Sequence, residues 1–169
     1  DRVLAGAYRA EDDDDAEEGL AYLFNTGTGR QVAKLRYPAG DAFDHFGISV
    51  DLADGYAIVG APNRSLVAQH SGDAAVFDAR TGTMRALLEP ADGRAGGGFG
   101  TAVAVDGPFA VVTARNNDEQ DHNAGAAYVF DLTALARSCN PADLARPFEV
   151  LDLDDLVAFI MDFAAGGPL

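Results

Sequence analysis

The amino-acid sequence predicts an all-β protein, a partial β-propeller of four-stranded antiparallel blades, followed by a short C-terminal helical segment. Two observations lead to this prediction. Several short motifs recur at a spacing of 53 residues. Between them, brief apolar runs alternate with turn residues, and helical periodicity is missing until the C-terminus.

The repeat is clearest in a run of small and apolar residues that ends in phenylalanine. It occurs as Gly19 to Phe24, Gly72 to Phe77 and Gly125 to Phe130, at an offset of 53 both times. Thr28-Gly29 recurs as Thr81-Gly82, and Phe46-Gly47 recurs as Phe99-Gly100, at the same offset of 53. A third landmark occurs as Gly6-Ala7, Gly60-Ala61 and Thr113-Ala114. We therefore expect Phe24, Phe77 and Phe130 to occupy equivalent core positions.

The complete central unit predicts four strands, at residues 47–52, 56–61, 73–78 and 83–89. Asp54-Gly55 and Asp106-Gly107 suit tight turns with positive φ, and the Thr-Gly pairs suit a second hairpin in the first two units. Four short strands joined by such turns are typical of a propeller blade.

The first and third units are incomplete, with three predicted strands each, which makes ten strands in all. The predicted domains are residues 1–133, about two and a half blades, and residues 134–169, a linker and a helical tail. Open blade edges invite pairing, so we expect self-association, or missing blades supplied by other chain segments. The start at Asp1, without Met, suggests a processed product or a fragment.

These motifs resemble the FG-GAP repeats of the integrin alpha-subunit propeller and of many secreted bacterial proteins. Phe46-Gly47 is followed by Gly60-Ala61-Pro62, while the other copies read Gly6-Ala7-Tyr8 and Thr113-Ala114-Arg115. The resemblance covers residues 1–133 and implies propeller blades, secretion and a role in adhesion.

The C-terminal residues change in character, and apolar groups at helical spacing predict a helix at residues 153–164. Ala142-Asp143-Leu144 and the run from Leu151 to Leu156 are similar to the dockerin-like C-terminal modules of secreted planctomycete proteins, distant relatives of EF-hand loops. The resemblance implies a calcium site at Asp143, Asp152 and Asp155. However, Ala145 and Pro147 stand where ligands are needed, so a helix with an acidic, solvated face is the alternative.

Two other acidic segments are candidate calcium sites. Integrin-type blades hold calcium in a hairpin loop, and here that loop offers only Asp51 and Asp54, which also suit a plain turn. The acidic run at residues 11–18 is either a solvated loop or a cation site. Its candidate ligands are Asp12, Asp13, Asp14, Asp15 and Glu17.

Composition limits the possible partners and compartments. The formal net charge is −15, so nucleic acid is excluded as a partner, because phosphate binding needs cationic groups. No apolar run is long enough to span a membrane. The single cysteine excludes an intrachain disulfide. Neither a nucleophile motif nor a phosphate-binding glycine loop is present in the sequence, so we expect a protein that is not an enzyme.

The sequence is thus interpreted as a non-enzymatic extracellular or cell-surface scaffold for binding or adhesion. Its variable rim loops, residues 8–18, 63–71 and 115–124, would present a surface to a protein or carbohydrate ligand. His70 and His122 are predicted to lie on the same rim. Two alternatives stay open: an accessory fragment of a larger secreted hydrolase, and a structural subunit that assembles through its open blade edges.

Overall fold

The computed structural model describes residues 1–11, 18–37, 42–65, 68–90, 95–117, 125–133, 135 and 147–151. In these residues eleven strands form three antiparallel sheets. The strands are β1 (Arg2–Ala7), β2 (Leu20–Asn25), β3 (Gln31–Leu35), β4 (Ser49–Ala53), β5 (Tyr56–Ala61), β6 (Asp73–Asp78), β7 (Met84–Leu88), β8 (Phe99–Asp106), β9 (Phe109–Ala114), β10 (Ala126–Asp131) and β11 (Pro147–Leu151). The described residues include no helix with the length and apolar character that a membrane crossing requires.

Each sheet is one blade. Blade 1 contains β1–β3, blade 2 contains β4–β7, and blade 3 contains β8–β11, with neighbouring strands antiparallel throughout. The all-β prediction is therefore confirmed, and β4–β7 match the four strands predicted for the central unit.

The predicted hairpin turns form as their residues require. Asp54 and Gly55 have φ of 49° and 88° and join Ala53 to its partner Tyr56, which is the pattern of a type I′ turn. Gly107, with φ of 54°, precedes Pro108 in the hairpin that pairs Asp106 with Phe109. Glycine in the first central position with proline in the second fits a type II′ turn.

The prediction of ten strands is wrong, because the third blade has a fourth strand. Strand β11 pairs antiparallel with β10 along its outer edge, the place that β7 occupies in blade 2. In blades 1 and 2 a Thr-Gly turn leads directly into the last strand, whereas β11 begins at Pro147, far beyond the end of β10 at Asp131. With no short hairpin to mark it, β11 falls inside the segment predicted as a linker.

The repeat also includes the register shifts between paired strands. A register shift precedes the phenylalanine that ends the repeated apolar run in every blade, between Leu23 and Phe24, Val76 and Phe77, and Val129 and Phe130. A bulge bends a strand locally. The three phenylalanines therefore hold the same position in their sheets.

Phe24 nevertheless differs from the other two in burial, so the prediction of three core positions is correct only for Phe77 and Phe130. Phe77 packs edge-to-face on Phe46 at 6.1 Å between centroids, and Phe130 packs in the same way on Phe99 at 5.9 Å. Phe24 is half-buried, and among the described residues no ring of a Phe-Gly pair packs on it as Phe46 and Phe99 pack on the other two.

Two apolar cores fill the spaces between blades. Blades 1 and 2 enclose Leu35, Phe46, Val59 and Phe77. Blades 2 and 3 enclose a larger set: Ile58, Val76, Leu88, Phe99, Val112, Tyr128 and Phe130. Successive side chains along a strand of blade 2 thus point alternately towards blade 1 and blade 3. Because both faces of this sheet are covered, both are expected to be apolar.

Glycines let the blades approach closely, and the contacts are the same at both interfaces. A Cβ on Gly6 or Gly60 would collide with the carbonyl oxygen of Gly47 or Gly100 in the next blade. A Cβ on Gly47 or Gly100 would collide in turn with the carbonyl oxygen of Leu20 or Asp73. The Phe-Gly and Gly-Ala motifs recur because the backbones of adjacent blades touch there. We call these backbone contacts at Gly6, Gly47, Gly60 and Gly100 the glycine contacts.

Candidate ligand groove

The rim loops have a common base in all three blades. Backbone N–H groups of Gly19, Gly72 and Gly125 donate to carbonyl oxygens at the loop starts, at 3.1, 2.9 and 2.9 Å. All three glycines have φ between 75° and 86°, a conformation that other residues seldom adopt. The loops therefore vary in sequence on a base of fixed geometry.

The rim loops of blades 1 and 2 are also hydrogen-bonded to the turn that leads into the next blade. Phe46 N–H donates to the Glu18 carbonyl at 3.1 Å, and Phe99 N–H donates to the Ser71 carbonyl at 3.0 Å. These bonds tie loop to turn along the rim from blade 1 to blade 3.

The loops and turns enclose an open groove of about 550 Å³ on this rim. It is lined by residues of all three blades: Tyr8, Arg9, His45, Ile48, Pro62, Asn63, His70, Gly96, Gly98, Thr101, Arg115 and Asn116. A concave surface built where several blades meet is a common location for a ligand site.

The groove residues occupy matching positions of the repeat. The residue after the Gly-Ala or Thr-Ala pair is Tyr8, Pro62 or Arg115, and the next residue is Arg9, Asn63 or Asn116. The turns contribute His45 and Gly98 at one matching position, and Ile48 and Thr101 at another. Glycines that join the blades recur, while most side chains that face the groove change from copy to copy.

Two groove histidines are held in an unusual backbone conformation. His45 and His70 have φ of 57° and 53°, in the left-handed region. Such residues persist where the surroundings hold them, and they are frequent at ligand sites. The side-chain amide nitrogen of Asn63 is hydrogen-bonded to Nδ1 of His45 at 2.9 Å. The Tyr8 ring packs edge-on against the His45 ring at 5.5 Å.

A buried polar cluster supports the rim loop of blade 2 from below. The Tyr37 hydroxyl donates to Oδ1 of Asp73, which is fully buried, and Nε of Arg64 lies 3.3 Å from Oδ2 of the same carboxylate. The Arg64 guanidinium also stacks over the Tyr37 ring, 3.9 Å from its centroid. Arg64 is the residue whose carbonyl closes the loop base, so this cluster links the loop to both blades.

Burial is the dominant influence on the ionisation of this cluster. Loss of solvation raises the pKa of Asp73 to about 7, although the Tyr37 hydrogen bond and the Arg64 charge lower it. The nearby Asp44 and Glu89 carboxylates raise it further. The pKa of Tyr37 is also raised, by burial first and by the Asp73 charge second.

We expect Asp73 to make the protein less stable as the pH rises towards 8. Between its ordinary pKa of 3.8 and about 7, native Asp73 keeps a proton that the unfolded chain has released. This contribution is full below the unfolded pKa and is lost as the pH rises through the native pKa. Relative to Asp73→Asn, the wild type should lose about 2 to 3 kcal/mol of unfolding free energy between pH 5 and pH 8.

Urea unfolding at both pH values measures this change, with the exposed Asp106→Asn as the matched control. A difference between wild type and Asp73→Asn that stays constant with pH would contradict the raised pKa of Asp73.

Asp51 and Asp54, the calcium candidates in the hairpin of blade 2, bind backbone groups of blade 3. Oδ2 of Asp51 accepts from Val105 N–H at 2.7 Å, and Oδ2 of Asp54 accepts from Gly107 N–H at 2.8 Å. Both carboxylates therefore join neighbouring blades, a role that the sequence did not indicate. Calcium binding by this pair stays a prediction.

The other predicted cation ligands fall outside the described residues. They are Asp12, Asp13, Asp14, Asp15 and Glu17 in the acidic run, and Asp143, Asp152 and Asp155 in the tail. The same is true of His122 and of the helix predicted at residues 153–164. Within the described ranges, no three carboxylate, histidine or cysteine side chains lie together as a metal site would require.

The sequence analysis did not identify the arginines of the groove. Arg115 replaces the proline of Gly-Ala-Pro in the third copy, and Arg9 follows Tyr8, which replaces it in the first. In the sequence these two replacements only make the motif less regular. The departures themselves were the available signal, because the position after the Gly-Ala or Thr-Ala pair differs in all three copies and faces the groove.

One comparison with known protein families agrees with the repeat. The sequence profile described as FG-GAP repeat matches residues 30–77 and 83–130. A crystal structure of BamB from Moraxella catarrhalis is similar at 17% identity and a TM-score of 0.45, over 89% of this chain and 38% of that one. The chain thus spans well under half the length of that structure. A search of curated proteins gives no match.

Proposed function

Because the chain belongs to the FG-GAP repeat family, we propose that it is a non-enzymatic binding scaffold whose ligand occupies the rim groove. The blades supply a rigid frame, and the rim loops supply the side chains that recognise the ligand. Secretion, an extracellular or cell-surface location and an integrin alpha-like adhesive role are parts of the same proposal. The proposal also includes a dockerin-like tail and a calcium ion bound in the acidic loops.

The observation that carries this proposal is the distribution of variation among the three copies. Positions that hold the blades together repeat, as Gly6 and Gly60 do, and so do Gly47 and Gly100. One repeat position that faces the groove is Tyr8, Pro62 or Arg115 in the three copies, and another is His45 or Gly98. A groove that served only to join loops would have no need of three such different side chains, whereas recognition of an asymmetric ligand requires different side chains at different points.

Blocking the groove tests the proposal. The chain is labelled and applied to an array of neutral oligosaccharides, acidic oligosaccharides and peptides. Asn116→Trp places a large ring at an exposed position of the groove. Gln31→Trp places the same ring at an exposed position of strand β3, outside the groove. We expect wild type and Gln31→Trp to bind the same array components, and Asn116→Trp to lose them.

Binding that survives Asn116→Trp, or an array on which the wild type binds nothing, would contradict the proposed function. The circular dichroism of the two variants must match that of the wild type for the comparison to hold.

Uncovered apolar surface favours one alternative, a structural subunit that assembles through its end blades. Val3 in blade 1 and Phe109 in blade 3 are 47% and 45% exposed, and each lies on an end sheet. Sheets of this kind attract another apolar surface. Sedimentation of the same samples separates the two functions, because assembly through end blades should be unaffected by Asn116→Trp.

A further inference from the structure

Among the described residues, the charged side chains of the groove are basic, although the chain as a whole is acidic. The sequence carries 27 acidic and 12 basic residues, yet the groove residues that the structure describes include two arginines, two histidines and no carboxylate. Arg9 and Arg115 are both exposed, and no ion pair joins either to a described carboxylate. Arginine stays charged at any physiological pH and its planar fork matches a carboxylate or sulfate.

The neutral side chains of the groove offer hydrogen-bond acceptors as well as donors. The Asn63 and Asn116 amide nitrogens are engaged, with His45 and with the Gly96 carbonyl at 3.3 Å, which leaves the amide oxygens to accept from a ligand. Hydroxyl groups are the natural donors for such acceptors. The exposed Tyr8 ring adds an aromatic edge at one end of the groove.

From this combination we infer that the groove binds an acidic saccharide, in which anionic groups meet Arg9 and Arg115 while hydroxyl groups meet Asn63 and Asn116. The ligand carries carboxylate or sulfate groups on a polyhydroxylated chain. A neutral saccharide would bring no negative charge to the two arginines. An acidic peptide offers one backbone N–H donor per residue, whereas each sugar ring offers several hydroxyl donors to the asparagine oxygens. This inference rests on the proposed function and specifies the ligand class for the same groove.

Isothermal titration calorimetry on the full chain tests the inference with four probes. These are tetragalacturonate, a sulfated tetrasaccharide, an uncharged galactose tetrasaccharide and hexaglutamate. We expect the carboxylated or the sulfated saccharide to bind, and the stronger of the two identifies the anionic group. The uncharged saccharide and the peptide should bind at least about 10-fold more weakly.

Arg115→Gln removes one groove charge, and Arg80→Gln removes the same charge from the exposed turn between β6 and β7. Arg115→Gln should weaken binding of the acidic saccharide about 10-fold or more, and Arg80→Gln should change it less than about 2-fold. Equal effects of the two substitutions would overturn the inference, since they would indicate only general charge attraction.

Other outcomes overturn the inference and leave the proposed function standing. If the uncharged saccharide or hexaglutamate binds as tightly as the acidic saccharides, and Asn116→Trp abolishes that binding, the groove is the site but its ligand class is different. If none of the four probes binds, the acidic-saccharide inference fails, while the array with Asn116→Trp still decides the proposed function.

Discussion

Gly60→Ala is expected to destabilise the protein by at least about 3 kcal/mol, an effect at the upper end of overpacking substitutions. The new Cβ would overlap the backbone carbonyl of Gly100 in blade 3 and the hydroxyl of Ser49. A side chain in this place could rotate away, but a strand backbone cannot. Blades 2 and 3 would have to separate, which opens the apolar core between them. Urea unfolding followed by circular dichroism measures the loss.

Gly27→Ala is the matched control for this prediction. Its Cβ would come no closer than 3.4 Å to a neighbouring atom, the side-chain oxygen of Asn25, so the change should cost less than about 1 kcal/mol. Equal stability of the two variants would show that adjacent blades do not touch at the glycine contacts.

Phe77→Ala is expected to cost about 3 to 5 kcal/mol, because it leaves a cavity in the core between blades 1 and 2. The ring is only 2% exposed and packs against Phe46 at 6.1 Å. The same unfolding measurement applies, and Phe130→Ala, at the matching position of blade 3, should cost a similar amount.

The repeat provides its own control in Phe24→Ala. Phe24 has the same register but is half-buried, so its truncation should cost about 1 kcal/mol. A cost at Phe24 as large as that at Phe77 would mean that another surface covers blade 1 in solution.

Most of the blade structure could be predicted because each landmark has a local physical cause. Asp54-Gly55 forms the hairpin that the pair suits, and the alternation from Asp73 to Asp78 gives a strand. Strand β11 could not be predicted, since nothing local links it to its neighbour β10. The half-burial of Phe24 could not be predicted either, because the repeat fixes its register but not which side chains cover its ring.

The groove was predictable only in part. The described residues of the three rim loops that line the groove lie on one rim, because equivalent positions of a repeat lie on the same side of stacked blades. The individual groove residues depend on the turns between blades as well, and these bring His45 to the loop of the next blade through Asn63. Likewise, the partners of Asp51 and Asp54 lie in the next blade, which a reading of one hairpin cannot show.

Amide hydrogen exchange tests most directly whether the repeated blades form one stack that supports the groove. The informative amides are those that donate across a blade boundary, namely Phe46, Phe99, Val105 and Gly107. In a rigid stack these amides exchange only through large openings, so we predict protection close to that of the central strands β5 and β9. Exchange of these four amides at the rate of exposed turns, with β5 and β9 still protected, would show that the blades fold separately and that no continuous groove exists.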